Sequence, residues 1–194
     1  MGRVGVYVLA GALLLSGCTV VTAVGGLVGD QVITAFSGRE AAYPEPAEKV
    51  LAASQKALQG LDLQISLLEP LDDGFWIEFG NRKLDGQVKL LKQTKHLTTA
   101  YAKVRSGVRR KESIEEAILG AVRHQLDAQA LAFTYQAYRK VRADPSEEAP
   151  ALGWYLPGSR LDVSQVEQPG WLRLKMPSGK VGYIKASIRQ TAKG

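Results

Sequence analysis

The chain has 194 residues, 45% of them apolar and 23% charged, with a formal net charge of +6. That is the composition of a globular protein rather than a disordered or fibrous one. Its single cysteine excludes an intrachain disulfide, so any core must hold by packing alone.

At the N-terminus, Arg3 precedes an uncharged apolar run from Val4 to Leu15, followed by the small residues Ser16 and Gly17 and then Cys18. A positive start, an apolar stretch and small residues before a cut make a secretory signal. The run falls short of the roughly 20 residues that a membrane-spanning helix needs. Leu15-Ser16-Gly17-Cys18 resembles a bacterial lipobox. That resemblance implies cleavage before Cys18, a diacylglycerol on its thiol, an N-acyl chain such as palmitate on the new terminus, and no other cofactor. It also implies the membrane as first partner. In proteobacterial lipoproteins a residue other than aspartate after the cysteine goes with export to the outer membrane, so for a Gram-negative source the resemblance, with Thr19 here, implies the outer membrane facing the periplasm. An uncleaved anchor over Val4 to Gly29 is the competing reading. Gly11, Gly17, Gly25, Gly26 and Gly29 weigh against it, each weakening a helix by roughly 1 kcal/mol. Residues 1–17 thus read as a signal peptide and 18–38 as a lipidated, glycine-rich spacer.

Residues 39–127 read as an α+β unit. Arg39 to Tyr43 suits a short strand, which Pro44 and Pro46 end. Ala47, Val50, Leu51, Ser54, Leu58 and Leu61 then repeat at helical spacing, predicting a helix over about 45–60 that Gly60 ends. The period switches to two at Leu63, Ile65 and Leu67, with a turn at Asp72-Asp73-Gly74 and a strand placing Phe75, Ile77 and Phe79 on one face. Strands over Gln87–Gln93 and Leu97–Val104 complete a meander, the latter with small residues inward and Tyr101, Lys103 and Arg105 outward. Ser113-Ile114-Glu115-Glu116 has the spacing of a capping box. It predicts a second helix with Ile114, Ala117, Ile118, Ala121 and Val122 on its apolar face. This order calls for an antiparallel sheet with two helices on one face.

The unit resembles a family of small bacterial lipoproteins of unknown function. The shared steps are Leu58-Gln59-Gly60-Leu61-Asp62-Leu63, the meander, Val104-Arg105-Ser106-Gly107, and Ser113 before the last helix. Val108-Arg109-Arg110-Lys111 departs from that family, which tends to carry Phe-Gly and an acidic residue there. The resemblance implies a fold and an address, and no reaction.

After a connector at 128–138, residues 139–194 change in kind. Short alternating runs are separated by glycine and proline turns, the pattern of a small β-barrel. Val141-Arg142 with Pro145-Ser146, Gly158 before an alternating strand, Gly170-Trp171-Leu172, and Gly179 with Gly182-Tyr183-Ile184 resemble a bacterial SH3 (SH3b) domain. The fold expected of the whole is therefore α+β, the helix-backed sheet being followed by a small all-β SH3-like barrel.

Groups for catalysis are sparse. His96 and His124 are the only imidazoles, set at a strand edge and beside Arg123 on a helix, and both suit solvated surface. No cluster has zinc-ligand spacing, and no glycine-rich phosphate loop occurs. The pairs Asp72-Asp73 and Glu115-Glu116 suit a turn and a helix start. Lys103, Arg105, Arg109, Arg110 and Lys111 form the densest basic patch, suited to anionic lipid or polymer or simply to solvent. SH3-type folds take extended peptides on aromatic-lined grooves, which makes Trp154, Tyr155, Trp171 and Tyr183 the candidate ligand-binding residues, with Trp171 and Tyr183 better suited to core or rim packing and the Trp154-Tyr155 pair to ligand contact. Trp154 and Tyr155 are neighbours, so on a strand they point to opposite sides and one is expected to face outward. The expectation is a non-enzymatic, membrane-anchored envelope protein that binds a cell-wall (peptidoglycan) peptide or an envelope protein, and no nucleic acid. A purely structural subunit of an envelope complex is the alternative. A wall hydrolase, the enzyme class that SH3b domains often accompany, lacks a catalytic set here.

Overall fold

Period-two alternation builds one antiparallel sheet through nearly all of the described chain. The computed structural model describes residues 38–127 and 131–186. Cys18, the signal peptide and all of the spacer but Gly38 lie outside the described residues. The elements are β1 (Arg39–Tyr43), α1 (Ala47–Gly60), β2 (Gln64–Leu71), β3 (Gly74–Gly80), β4 (Asp85–Thr94), β5 (Leu97–Ser106), β6 (Arg109–Arg110) and α2 (Glu112–Leu126). There follow β7 (Arg139–Arg142), β8 (Ala151–Tyr155), β9 (Val163–Gln165), β10 (Trp171–Lys175) and β11 (Val181–Lys185). The strand order is β1-β5-β4-β3-β2-β8-β7-β11-β10-β9, with β6 paired to β5, giving an open sheet of 11 strands. The α+β class stands, with both helices on one face of the meander.

That face holds the first core. Val50, Leu51 and Leu58 of α1 and Ile118 and Val122 of α2 close over Ile77, Val88, Leu90, Ala100, Ala102 and Val104. Full burial of each large side chain is worth about 1.5–3 kcal/mol, upper estimates against a realistic unfolded chain. Tyr43 is wholly buried, and its hydroxyl donates to the Leu119 carbonyl at 2.7 Å. Burial pushes this phenol up to about 12, against the opposing pull of the Arg123 guanidinium.

The first helix ends at Gly60 as expected, whereas the second starts earlier than its capping box predicts. Gly60 is the last helical residue of α1, and the left-handed position falls to Asp62, at φ 55°. The Leu63 amide then donates to Leu58 O at 2.9 Å and the Asp62 amide to Gln59 O at 3.2 Å, a Schellman closure. Leu61, expected on the apolar face, is therefore the cap residue and stands 40% exposed. In α2 the cap is Lys111, not Ser113, and no side chain caps the helix. The capping box fails because β6 feeds straight into the helix, which is already running at Glu112, so Ser113 lies inside its first turn. The buried stripe is consequently Glu115, Ile118, Leu119, Val122 and Leu126, while Ala117 faces out.

A β-bulge in β2 decides the rest. The β2–β3 register shifts between Ile65 and Leu67, so Ser66 is the extra residue. Ile65 and Leu68 face the first core, whereas Leu67 turns to the opposite side. The expected alternation of Leu63, Ile65 and Leu67 on one face breaks at this point. Leu67 enters a second core made by Val141, Tyr155, Leu172, Leu174, Met176 and Ile184.

The two cores meet along β2 and β8, where Leu67 pairs with Tyr155 and Leu68 with Trp154. Tyr155 belongs to the second core and Trp154 packs on the first, so each strand serves both. Gly153 makes this contact possible: a Cβ there would lie 2.5 Å from the Leu68 carbonyl oxygen. The five C-terminal strands thus continue the sheet of the meander, and among the described residues no ladder closes them on themselves. Between the units, residues 131–138 form a strap over the first core. Buried Gln55 holds it, donating to Thr134 O at 3.0 Å and accepting from Thr134 N at 2.8 Å.

Candidate functional site

The four aromatic candidates do not form one site. Trp154 is half-buried on the first-core side of β8, its ring 4.8 Å from that of Tyr135. Tyr135 in turn stacks 4.7 Å from Phe133, so Trp154 anchors the strap. Tyr155 is only 4% exposed and its hydroxyl donates to Lys185 O at 3.1 Å. The expectation that one ring of this pair stands free fails because β2 on one edge and a core on each face enclose β8. Tyr183 is half-buried on β11, opposite Arg142 and Arg173 of the neighbouring strands.

Tyr155 and Trp171, by contrast, line one shallow cleft of about 240 Å³. Arg139, Lys140, Arg142 and Lys185 share it with a single carboxylate, Glu147. Lys185 pairs with Glu147, and Arg142 Nη1 donates to Ala149 O at 2.7 Å. Burial pushes the Tyr155 phenol up, while contact with the Arg139 guanidinium pulls it down. Arg139 and Lys140 are exposed at the mouth. The cleft therefore offers aromatic walls under a positive rim, the chemistry of an acidic, extended ligand.

The units also meet at a larger polar cleft, which no single segment announces. Two adjoining lobes of about 380 and 440 Å³ share Ser66, Phe79, Asp85 and Arg160. The bulge sets Ser66 here, and its carbonyl accepts the Leu156 amide at 2.9 Å. Gly86 permits the Phe79 ring to lie on the strand, since a Cβ there would come 2.4 Å from Phe79 Cζ. Glu78 borders the first lobe; burial raises its carboxyl, the Gln87 amide lowers it and the Glu69 charge raises it. Glu69 itself is buried and clamps the second unit, accepting the Ser178 amide at 2.9 Å and the Ser178 hydroxyl.

The basic patch proves divided. Lys103 and Arg105 line the polar cleft, whereas Arg110 folds back on Glu115. The Glu115 carboxylate, fully buried, accepts Arg110 Nη2 at 2.6 Å and the Val104 amide at 3.0 Å. Burial alone would raise this carboxyl; the Arg110 fork and the Val104 and Arg39 amides outweigh it and hold it below the usual value. Sequence reading explained the Glu115-Glu116 pair by a helix N-terminus, and nothing in its spacing signals a buried ion pair. Gln55 did carry a signal: a lone amide at helical spacing between Leu51 and Leu58.

His96 and His124 are both exposed, on the β4–β5 turn and on α2. Among the described residues no three His, Cys, Asp or Glu side chains group as metal ligands. Nor is any described helix long and apolar enough to cross a membrane. No protein-family model matches the chain, and no curated protein matches it either.

Proposed function

We propose that this is a non-enzymatic envelope lipoprotein, anchored through Cys18 at the outer membrane, whose C-terminal unit is of SH3b type and binds an acidic cell-wall peptide. The observation that carries the reading is the cleft in which Tyr155 and Trp171 lie beneath Arg139 and Lys140. A stem peptide of the cell wall is extended and bears free carboxylates, which suits aromatic walls and a cationic rim. Support for the SH3b assignment comes from the turns. Gly158 and Gly179 adopt positive φ of 85° and 88°, and a Cβ on Gly182 would lie 2.4 Å from Val141 Cγ1. These are positions that the sequence pattern reserves for glycine.

Co-sedimentation of the purified full chain with peptidoglycan sacculi tests the ligand. The double variant Arg139→Glu, Lys140→Glu reverses the charge of the rim and is expected to cut the bound fraction about tenfold. Binding that is absent in the unaltered chain, or indifferent to the charge swap, would overturn the cell-wall reading. The anchor has its own test. Cys18→Ser is expected to move the protein from the membrane to the soluble fraction on fractionation of cells, with the fold intact. Retention of the variant with its leader still attached would mean a helical anchor instead of a lipid.

A further inference from the structure

The polar cleft at the seam holds cationic side chains from three separate parts of the chain. Arg82 comes from the β3–β4 turn, Arg105 from the end of β5 and Arg160 from the β8–β9 loop. Lys103 and the carboxylates Glu78 and Asp85 also border the cleft. Among the described residues, no ion pair or hydrogen bond engages the guanidinium of Arg82, Arg105 or Arg160. All three arginines are exposed, so the cleft is open to solvent and their guanidiniums are free to meet an anion from outside.

We propose that this cleft binds a phosphate group carried on a polyol, held by Arg82, Arg105 and Arg160. Guanidinium forks match the oxygens of phosphate and carboxylate alike. A planar carboxylate satisfies one or two forks in its own plane, whereas a tetrahedral phosphate accepts from several directions, as three arginines on three elements require. The uncharged lining, Ser66, Gln64 and Ser159, supplies partners for hydroxyl groups beside the phosphate. Arg160 rides on the loop whose Gly158 holds a left-handed turn, so the site is complete only when the C-terminal unit is docked on β2. This site is separate from the aromatic cleft, and the proposal does not depend on what that cleft binds.

The test titrates the purified full chain in detergent with glycerol 3-phosphate and, in a second arm, with dihexanoyl phosphatidylglycerol, using dihexanoyl phosphatidylcholine as control. Amide NMR shifts should concentrate at Ser66 and Gly158 to Arg160. Arg105→Ala and Arg160→Ala should each weaken binding about tenfold, the loss expected for one charge-assisted bond. Glu78→Gln removes an opposing carboxylate and should tighten binding about threefold, a gain that no folding defect mimics. Tighter binding of phosphatidylglycerol assigns the phosphate to a lipid headgroup; tighter binding of glycerol 3-phosphate assigns it to a free or polymeric polyol. Equal binding of phosphatidylcholine, shifts mapping elsewhere, or affinities unchanged in the arginine variants would overturn the proposal.

Discussion

Replacing Arg110 with alanine is expected to destabilise the protein by about 3 kcal/mol, because it leaves the Glu115 carboxylate buried without a countercharge. In a domain of this size that lowers the melting temperature by roughly 6 to 10 °C. Glu115→Gln should do less, about 1–2 kcal/mol, since Arg110 is one-third exposed and turns to water while the amide oxygen still accepts the Val104 N–H. Calorimetry on the two variants checks the asymmetry, and equal losses would contradict it. The pair also sets an acid limb. A carboxyl held below its usual value contributes stability that is fully present above the unfolded pKa of about 4.3 and is lost as pH falls through the folded value. The gap between wild type and Glu115→Gln should therefore be constant near neutrality and narrow on acidification below about pH 4.

Gly153→Ala is the second change with a large expected effect. Its Cβ would meet the Leu68 carbonyl oxygen at 2.5 Å, and a backbone atom in a ladder has little room to retreat. Met176 Cε at 3.0 Å gives way easily, so the strain falls on the β2–β8 contact. A loss of about 1–3 kcal/mol is expected from such overpacking. Chemical denaturation followed by tryptophan fluorescence reads it, with Gly60→Ala as control because nothing lies within 4 Å of a Cβ there. That control should be neutral or slightly stabilising, by up to about 1 kcal/mol. If Gly153→Ala proves as mild, the two units are not coupled through this ladder.

The parts of the fold legible in the sequence were those in which one local period governs. Phe75, Ile77 and Phe79 alternate cleanly, and β3 formed as written; Val50, Leu51 and Leu58 placed α1 on the sheet. What escaped depends on partners distant in the chain. A bulge at Ser66 leaves no mark in composition, yet it reverses the side on which Leu67 lies. Trp154 and Tyr155 look alike on an isolated strand, and only the pairing of β8 with β2 sends one to each core. The cleft residues Ser66, Arg105 and Arg160 come from three unrelated stretches, so no spacing rule gathers them. Glu115 was misjudged because its partner Arg110 sits on a two-residue strand too short to read.

The shared ladder between β2 and β8 bears on how such a chain can be taken apart. Composition invites a cut in the strap at 131–138, and that cut would strip β2 of its neighbour and leave Leu67 beside a bare row of amides and carbonyls. An uncovered apolar edge of this kind recruits strands from other molecules. The isolated meander is thus expected to self-associate, which light scattering on the fragment would read.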